Sequence, residues 1–334
     1  MHLLLAGVLG LAATAAEAQR AAPAPPKPRS GEGVPAPPKP QSGEGVPAPP
    51  KPQSGEGVCP PAGWTLTRLD GLKQDGFKVP DTRQRHELAI ALTGCLAHAT
   101  PEIRDGIAFE ALSTWMRGGQ LELATLQTLR GDLLTMMSRP DVDGFGSAFA
   151  ALVLAEVART DRLRAWMSAQ ERDEMVRAGA LYLARVRDYR AFSDAEGFRH
   201  AVAHGADLML QLALNPLTTK AQLDHMMLAV ASQVAPEAGI AYWAGEPDRL
   251  ARPIVFIAQR KLHSEAEWQT FLSEVTDPKP LASWRVAFAS ERGIKKRHNV
   301  RAFLLSVYAS ASTSDDPGIR QLIGPVTAAL KSVP

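Results

Sequence analysis

From residue 83 onward, apolar side chains recur every three or four positions, and Gly, Pro or a small polar residue interrupts them at short intervals. That period is helical, because about 100° of turn per residue puts positions i, i+3, i+4 and i+7 on one face. The pattern predicts helices near 83–98, 101–117, 121–137, 146–159, 168–186, 197–214, 219–234, 247–261, 265–275, 281–291, 298–311 and 317–331. Several starts carry chemical markers. Thr100-Pro101-Glu102 supplies an N-cap, a proline at the first helical position and an early acid. Ser168 with Glu171, Thr219 with Gln222 and Ser264 with Glu267 have the spacing of capping boxes, and Asp316-Pro317 opens the last helix. No convincing strand pattern recurs. The chain therefore reads as all-α, with about a dozen helices stacked as antiparallel neighbours. Pro101 to Ala108, followed by Ala111-Leu112, resembles the start of a HEAT-type repeat, and Asp316 to Arg320 echoes it without a fixed period. A HEAT-like α–α superhelix is the preferred architecture, and a compact multi-helix domain is the alternative.

The pattern ahead of residue 83 is different. Leu3 to Ala13 is a short apolar run, and Ala16-Glu17-Ala18 is a small-x-small cleavage pattern, which together predict a signal peptide over 1–18. The run is too short to span a bilayer comfortably, and no Cys stands at the cut to carry a lipid. Residues 19–58 hold three 12-residue repeats, Pro23–Val34, Pro35–Val46 and Pro47–Val58. Pro-rich and Ser-Gly-Glu-Gly halves alternate there, a composition that cannot bury a core and predicts a disordered linker. The folded domain is expected over 59–334. The expected location is periplasmic or secreted, with no transmembrane anchor after cleavage; an uncut leader would act as a tether instead.

Charge narrows the partners only slightly. The chain carries a net +2, nearly balanced, which argues against a nucleic-acid footprint. The one basic cluster is Arg292, Lys295, Lys296, Arg297, His298 and Arg301. It is either a solvated helix start or an anion site. The two cysteines, Cys59 and Cys95, form the even pair that invites a disulfide in an exported protein, stabilising by about 3 kcal/mol. Otherwise they are separate thiols, with Cys95 a small core residue. Neither belongs to a CxxC pair, which argues against thiol redox catalysis and a cysteine zinc site.

Candidate chemistry concentrates in 197–214. His200, His204, Asp207 and Gln211 cluster on one face within about 60°, and Val202, Leu208, Met209, Leu210, Leu212 and Leu214 fill the rest. A helix apolar nearly all round is buried, so its one polar stripe must be paired or must line a cavity. Three readings stay open. His200 and His204 at i and i+4 could hold zinc or iron with Asp207, or with Asp188, Glu246, Asp248 or His298, as a metal-dependent hydrolase would require. Ala201 stands where a zincin helix has its glutamate base, so that mechanism is excluded. Alternatively, Arg187, Asp188, Arg190, Arg199, Glu246 and Arg249 could pair with the stripe in a structural network. Third, Asp188, Arg190, Glu246, Arg249 and His298 could join it in lining a metal-free pocket for a ligand or protein partner. Ser147 and Ser193 lack a nucleophile-elbow context.

Ile103-Arg104-Asp105, Ser147 to Ala155, Arg187 to Arg190 and above all His200 to Leu208, continued by Glu246 to Leu250 and His298 to Leu304, carry a resemblance. On these stretches the chain from Cys59 to about Tyr308 resembles the bacterial family called domain of unknown function 2785 (DUF2785). It implies a helical domain and brings no activity. Ala191 and Phe198 depart from the family pattern, where Gly and Trp are expected. The first would be strained if the turn needs positive φ, and the second lacks an indole donor beside His200. The preferred function is ligand or protein binding through the 200–211 stripe; the alternative is the metal-dependent hydrolase.

Overall fold

The computed structural model describes residues 58–334; the expected leader at 1–18 and the repeats up to residue 57 lie outside the described residues. The fold is all-α. Helices α1 (Leu66–Gln74) and α2 (Thr82–Ala91) lead into a 3₁₀ turn, Leu92–Ala97. Next come α3 (Pro101–Ile103), a π turn at Arg104–Phe109 and α4 (Glu110–Arg117). The body follows with α5 (Leu123–Ser138), α6 (Gly146–Leu163), α7 (Ala169–Arg185), α8 (Ala201–Ala213), α9 (Lys220–Val234), α10 (Glu246–Gln259) and α11 (Glu265–Val275). A 3₁₀ turn at Trp284–Ala289, the long α12 (Glu291–Thr313), α13 (Pro317–Arg320) and α14 (Ile323–Ser332) complete it.

The expected caps form. Ser168, Thr219 and Ser264 each accept from the backbone N–H three residues on, while Glu171, Gln222 and Glu267 reach back to the cap. Thr100 caps α3 without a side-chain bond. Helix α1 escaped the periodicity because only Leu69 in it is buried. The helix expected at 281–291 is instead the 3₁₀ turn, and α12 starts at Glu291, where Ser290 accepts from Gly293 N–H. The helix expected at 317–331 is broken between α13 and α14.

Helix-to-helix contacts sort the body into two rows. Helices α6, α8, α10 and α12 pack in sequence along one row, and α5, α7, α9, α11 and α14 along the other. Consecutive helices bridge the rows at α5–α6, α7–α8 and α9–α10. Helix α8 lies inside the first row, between α6 and α10, with α7 across from it. That position explains its all-round apolar surface. The approach of α7 and α8 is close at two glycines. A Cβ on Gly179 would meet Met209 Cε at 2.6 Å, and one on Gly205 would meet Leu183 Cδ1 at 3.0 Å. At the start of the domain Cys59 is disulfide-bonded to Cys95, 36 positions on. Among the described residues no helix is long and apolar enough to cross a membrane.

Candidate functional site

The helix expected from residue 197 begins at Ala201, because the chain enters it by a different route. Strand β1 (Phe192–Ser193) pairs antiparallel with β2 (Gly197–Phe198), Phe192 opposite Phe198. Gly197 has φ +70°, and a Cβ there would lie 3.1 Å from Pro101. His200 caps α8 in the left-handed region, at φ 53° and ψ 36°. A non-glycine residue held there costs on the order of 1 kcal/mol, so its surroundings must impose it. Ala191 does not share this strain: the non-glycine residues at positive φ are Phe77, His200 and Lys261 among those described.

Two arginines fix this entry. Arg104, fully buried in the π turn, donates to the carbonyls of His98, Ala99, Glu196 and Phe198 and to the Asp105 carboxylate. Arg199 donates to Asp143 O at 2.8 Å and to Glu196 at 2.9 Å, and its own N–H donates to Ala191 O. Both guanidinium groups rest on the Phe145 ring, at 4.2 and 4.3 Å from its centre. Burial lowers the Arg104 pKa, and the neighbouring Arg199 charge adds to the effect. Sequence reasoning passed over Arg104 as a site residue, although it stands on the apolar stripe of its helix between the buried Ile103 and Ile107. An arginine on such a stripe was the available signal.

The stripe itself divides in two. Its inner part is clamped. His204 Nδ1 donates to Ala148 O on α6 at 3.2 Å, and the Phe149 ring meets it edge-on with centres 4.9 Å apart. Both Asp207 carboxylate oxygens accept from Arg249 Nη1 on α10 at 2.5 Å. Burial drives the Asp207 pKa up against the opposing pull of Arg249. Burial also holds the His204 pKa well below its ordinary value, with the His200 and Arg249 charges acting the same way.

The outer part is less satisfied. His200 is 9 % exposed, yet its Nε2 is buried without a hydrogen-bond partner. Burial, then the Arg249 charge, lowers its pKa to about 4, with the Ala244 backbone opposing. The Phe198 ring lies against the imidazole, centres 4.2 Å apart and tilted 33°. Phe192 packs on Phe198 in turn at 4.8 Å, and both phenylalanines are exposed. At the C-terminal end of the stripe, beyond the clamped pair, Gln211 Oε1 is likewise buried and unpartnered.

The other expected site residues reach the stripe indirectly. Asp188 and Arg190 form an ion pair at 2.5 Å, and Arg190 donates onward to Val142 O and Asp143 O. The 142–144 turn thus ties this pair to Arg199. Gly144 (φ +77°) is required there, since a Cβ would fall 2.2 Å from Asp188 Oδ2. Glu246, buried at the start of α10, accepts from Ala244 N–H at 3.0 Å. His298 Nε2 donates to Tyr242 O at 3.0 Å, while Asn299 accepts from Tyr242 N–H and donates to Ile240 O. Glu246, His298 and Asn299 therefore shape the 240–246 loop, which sets Ala244 beside His200 and leaves Trp243 69 % exposed.

The metal set proposed for His200, His204 and Asp207 is not assembled. Asp207 spends both oxygens on Arg249, His204 spends Nδ1 on a carbonyl, and the two imidazoles stand perpendicular with centres 5.9 Å apart. Among the described residues no group of three His, Cys, Asp or Glu side chains could hold a metal ion. Nor do stripe residues line either of two cavities, one beside α12 and one between α5 and the 139–147 segment.

No curated protein and no solved structure matches the chain. Residues 133–309 match the model of a family described as a protein of unknown function, DUF2785. That span covers the hairpin, the stripe, Arg249 and the 240–246 loop, and it leaves out Arg104 and the Cys59–Cys95 bond. By that match the chain belongs to the DUF2785 family.

Proposed function

We propose that this is an exported ligand-binding domain whose binding face is the outer end of the α8 stripe. The observation that carries the reading is the exposed Phe192–Phe198 pair stacked on His200, an imidazole held in the left-handed region. Backbone strain concentrates where ligands are held. Phe192 and Phe198 supply exposed rings against the imidazole, Trp243 is exposed on the 240–246 loop next to Ala244, and the Asp207–Arg249 pair leaves the surroundings close to neutral. Those properties suit an uncharged, hydrogen-bonding ligand with a flat face that stacks on rings, a sugar above all. The two helix rows support a HEAT-like reading of the scaffold, with α8 in one of the rows. Export rests on the apolar run before Ala16-Glu17-Ala18 and on the disulfide, since such bonds persist in oxidising compartments.

The test is a thermal-shift screen of neutral mono- and disaccharides against the native chain and a Phe198→Ala, Trp243→Ala double variant. A sugar at about 100 times its Kd stabilises by about 2.7 kcal/mol, a shift of several degrees in the native chain and none in the variant. A screen in which no sugar shifts the native chain, or every active sugar shifts both proteins equally, overturns the reading.

A further inference from the structure

The basic cluster on α12 divides its work. Lys295 pairs with Glu291 at 2.5 Å, Arg301 donates to Val333 O at 2.5 Å, and Arg297 donates to Pro334 O. His298 is occupied by Tyr242 O. Arg292 and Lys296 are left facing a cavity of about 530 Å³, bounded by the 235–240 loop, the 279–281 segment and α12. Their hydrogen bonds end on neutral carbonyls, Arg292 on Glu237 O at 2.8 Å and Lys296 on Lys279 O. Lys279 also lines the space and pairs with Asp277 at 3.1 Å, while Glu237 is the one acid among the lining residues. Ile240 and Leu281 give the cavity apolar walls.

We propose that this cavity binds an amphiphilic monoanion, its acidic head between Arg292 and Lys296 and its apolar body along Ile240 and Leu281. The charge inventory sets the valence. Arg292, Lys296 and Lys279 face Glu237 inside and Asp277 beside them, which leaves one positive charge uncompensated. The volume suits a ligand of drug size, and the walls suit a short aliphatic chain. Burial and the Arg292 charge both lower the Lys296 pKa, with Asp277 opposing. An anion placed there would relieve that repulsion. The stem of Arg292 is held in position, since a Cβ on Gly239 would lie only 3.0 Å from its Cγ. This inference does not rest on the reading of the α8 site, although Ile240 belongs to the loop that reaches His200 and Asn299 holds it.

The probe is octanoate, with 1-octanol as its neutral counterpart, followed by ligand-observed NMR on the full chain. Octanoate binds with a Kd in the millimolar range or below, weakens as salt rises, and is not displaced by octanol. Lys296→Gln lowers affinity about tenfold, as expected for loss of one charge-assisted contact. An Arg292→Gln, Lys296→Gln double variant abolishes binding, with circular dichroism verifying its fold. Should the double variant misfold, Leu281→Trp, which fills the cavity from its apolar side, must abolish binding in its place. Anionic phospholipid vesicles separate the sources: retention on vesicles without binding of free octanoate overturns the proposal in favour of a membrane surface. Equal binding of octanol, undiminished binding by both variants, or no binding at all overturns it outright.

Discussion

Positive charge gathers in two places in this domain, and the two close it differently. Around α8, Arg249 ends on both oxygens of Asp207, Arg199 on Glu196, and Arg104 on Asp105 together with four carbonyls. Beside α12, Arg292 and Lys296 hydrogen-bond to carbonyls and to no carboxylate, Lys296 also lies over the Trp284 ring, and both border an open volume. A guanidinium closed by a carboxylate is neutral outwardly and joins two elements. One closed by a carbonyl is held in place but keeps its field. The first arrangement builds the fold, and the second leaves a charge for something outside the chain to answer.

The comparison predicts unequal costs of substitution, measurable by urea denaturation. Arg104→Met is expected to be the most damaging, because it strands four carbonyls of the hairpin entry and the Asp105 carboxylate; about 4 kcal/mol is expected. Asp207→Ala leaves the Arg249 charge without its partner on α8. Arg249 retains some contact with water, so the cost falls toward the lower end for broken buried pairs, about 3 kcal/mol. Acid supplies the third measurement. The folded pKa of His200 lies near 4, below the ordinary 6.5, so the unfolded chain takes up the proton first. Stability is therefore fully present above about pH 6.5 and declines as pH falls toward 4, by about 2 kcal/mol at pH 5 from His200 alone. His204, lowered by the same burial, adds in the same direction. Urea midpoints for the native chain and His200→Gln between pH 7.5 and 5 should diverge accordingly, and parallel curves would contradict a buried neutral imidazole. The smallest effect belongs to the cleft, where Arg292→Gln or Lys296→Gln should cost under about 1 kcal/mol, as solvent-facing charges do. If a cleft variant proves as costly as Asp207→Ala, the distinction between the two regions collapses.

Much of the fold was legible because helices are local. The capping boxes at Ser168, Thr219 and Ser264 are three-residue patterns, and the polar stripe of α8 follows from a 3.6-residue period. The entry to α8 was not legible for the complementary reason. His200 takes a left-handed backbone without being glycine, under the pressure of Phe198, Ala244 and an arginine on another helix. No local pattern encodes that. The stripe's partners were named correctly in part: Arg249 was among the candidates for pairing, and Asp207 is where it ends. Glu246, a candidate for both the network and the pocket, and His298, a pocket candidate, are each satisfied by the backbone of the 240–246 loop, a pairing that no local spacing encodes. The cleft was invisible for a different reason. Its walls come from three segments that periodicity treats separately, and only the folded chain sorts Arg292 and Lys296 from their neighbours.

The Cys59–Cys95 bond has a mechanical meaning as well. A pull applied to the chain ahead of residue 59 passes through sulfur directly to Cys95, at the turn before α3. Residues 60–94, with α1 and α2, are thereby taken out of the line of force. Tension would load the anchored body instead of peeling its first two helices away, so the strength of the attachment is set by a covalent bond and by the packing around Cys95.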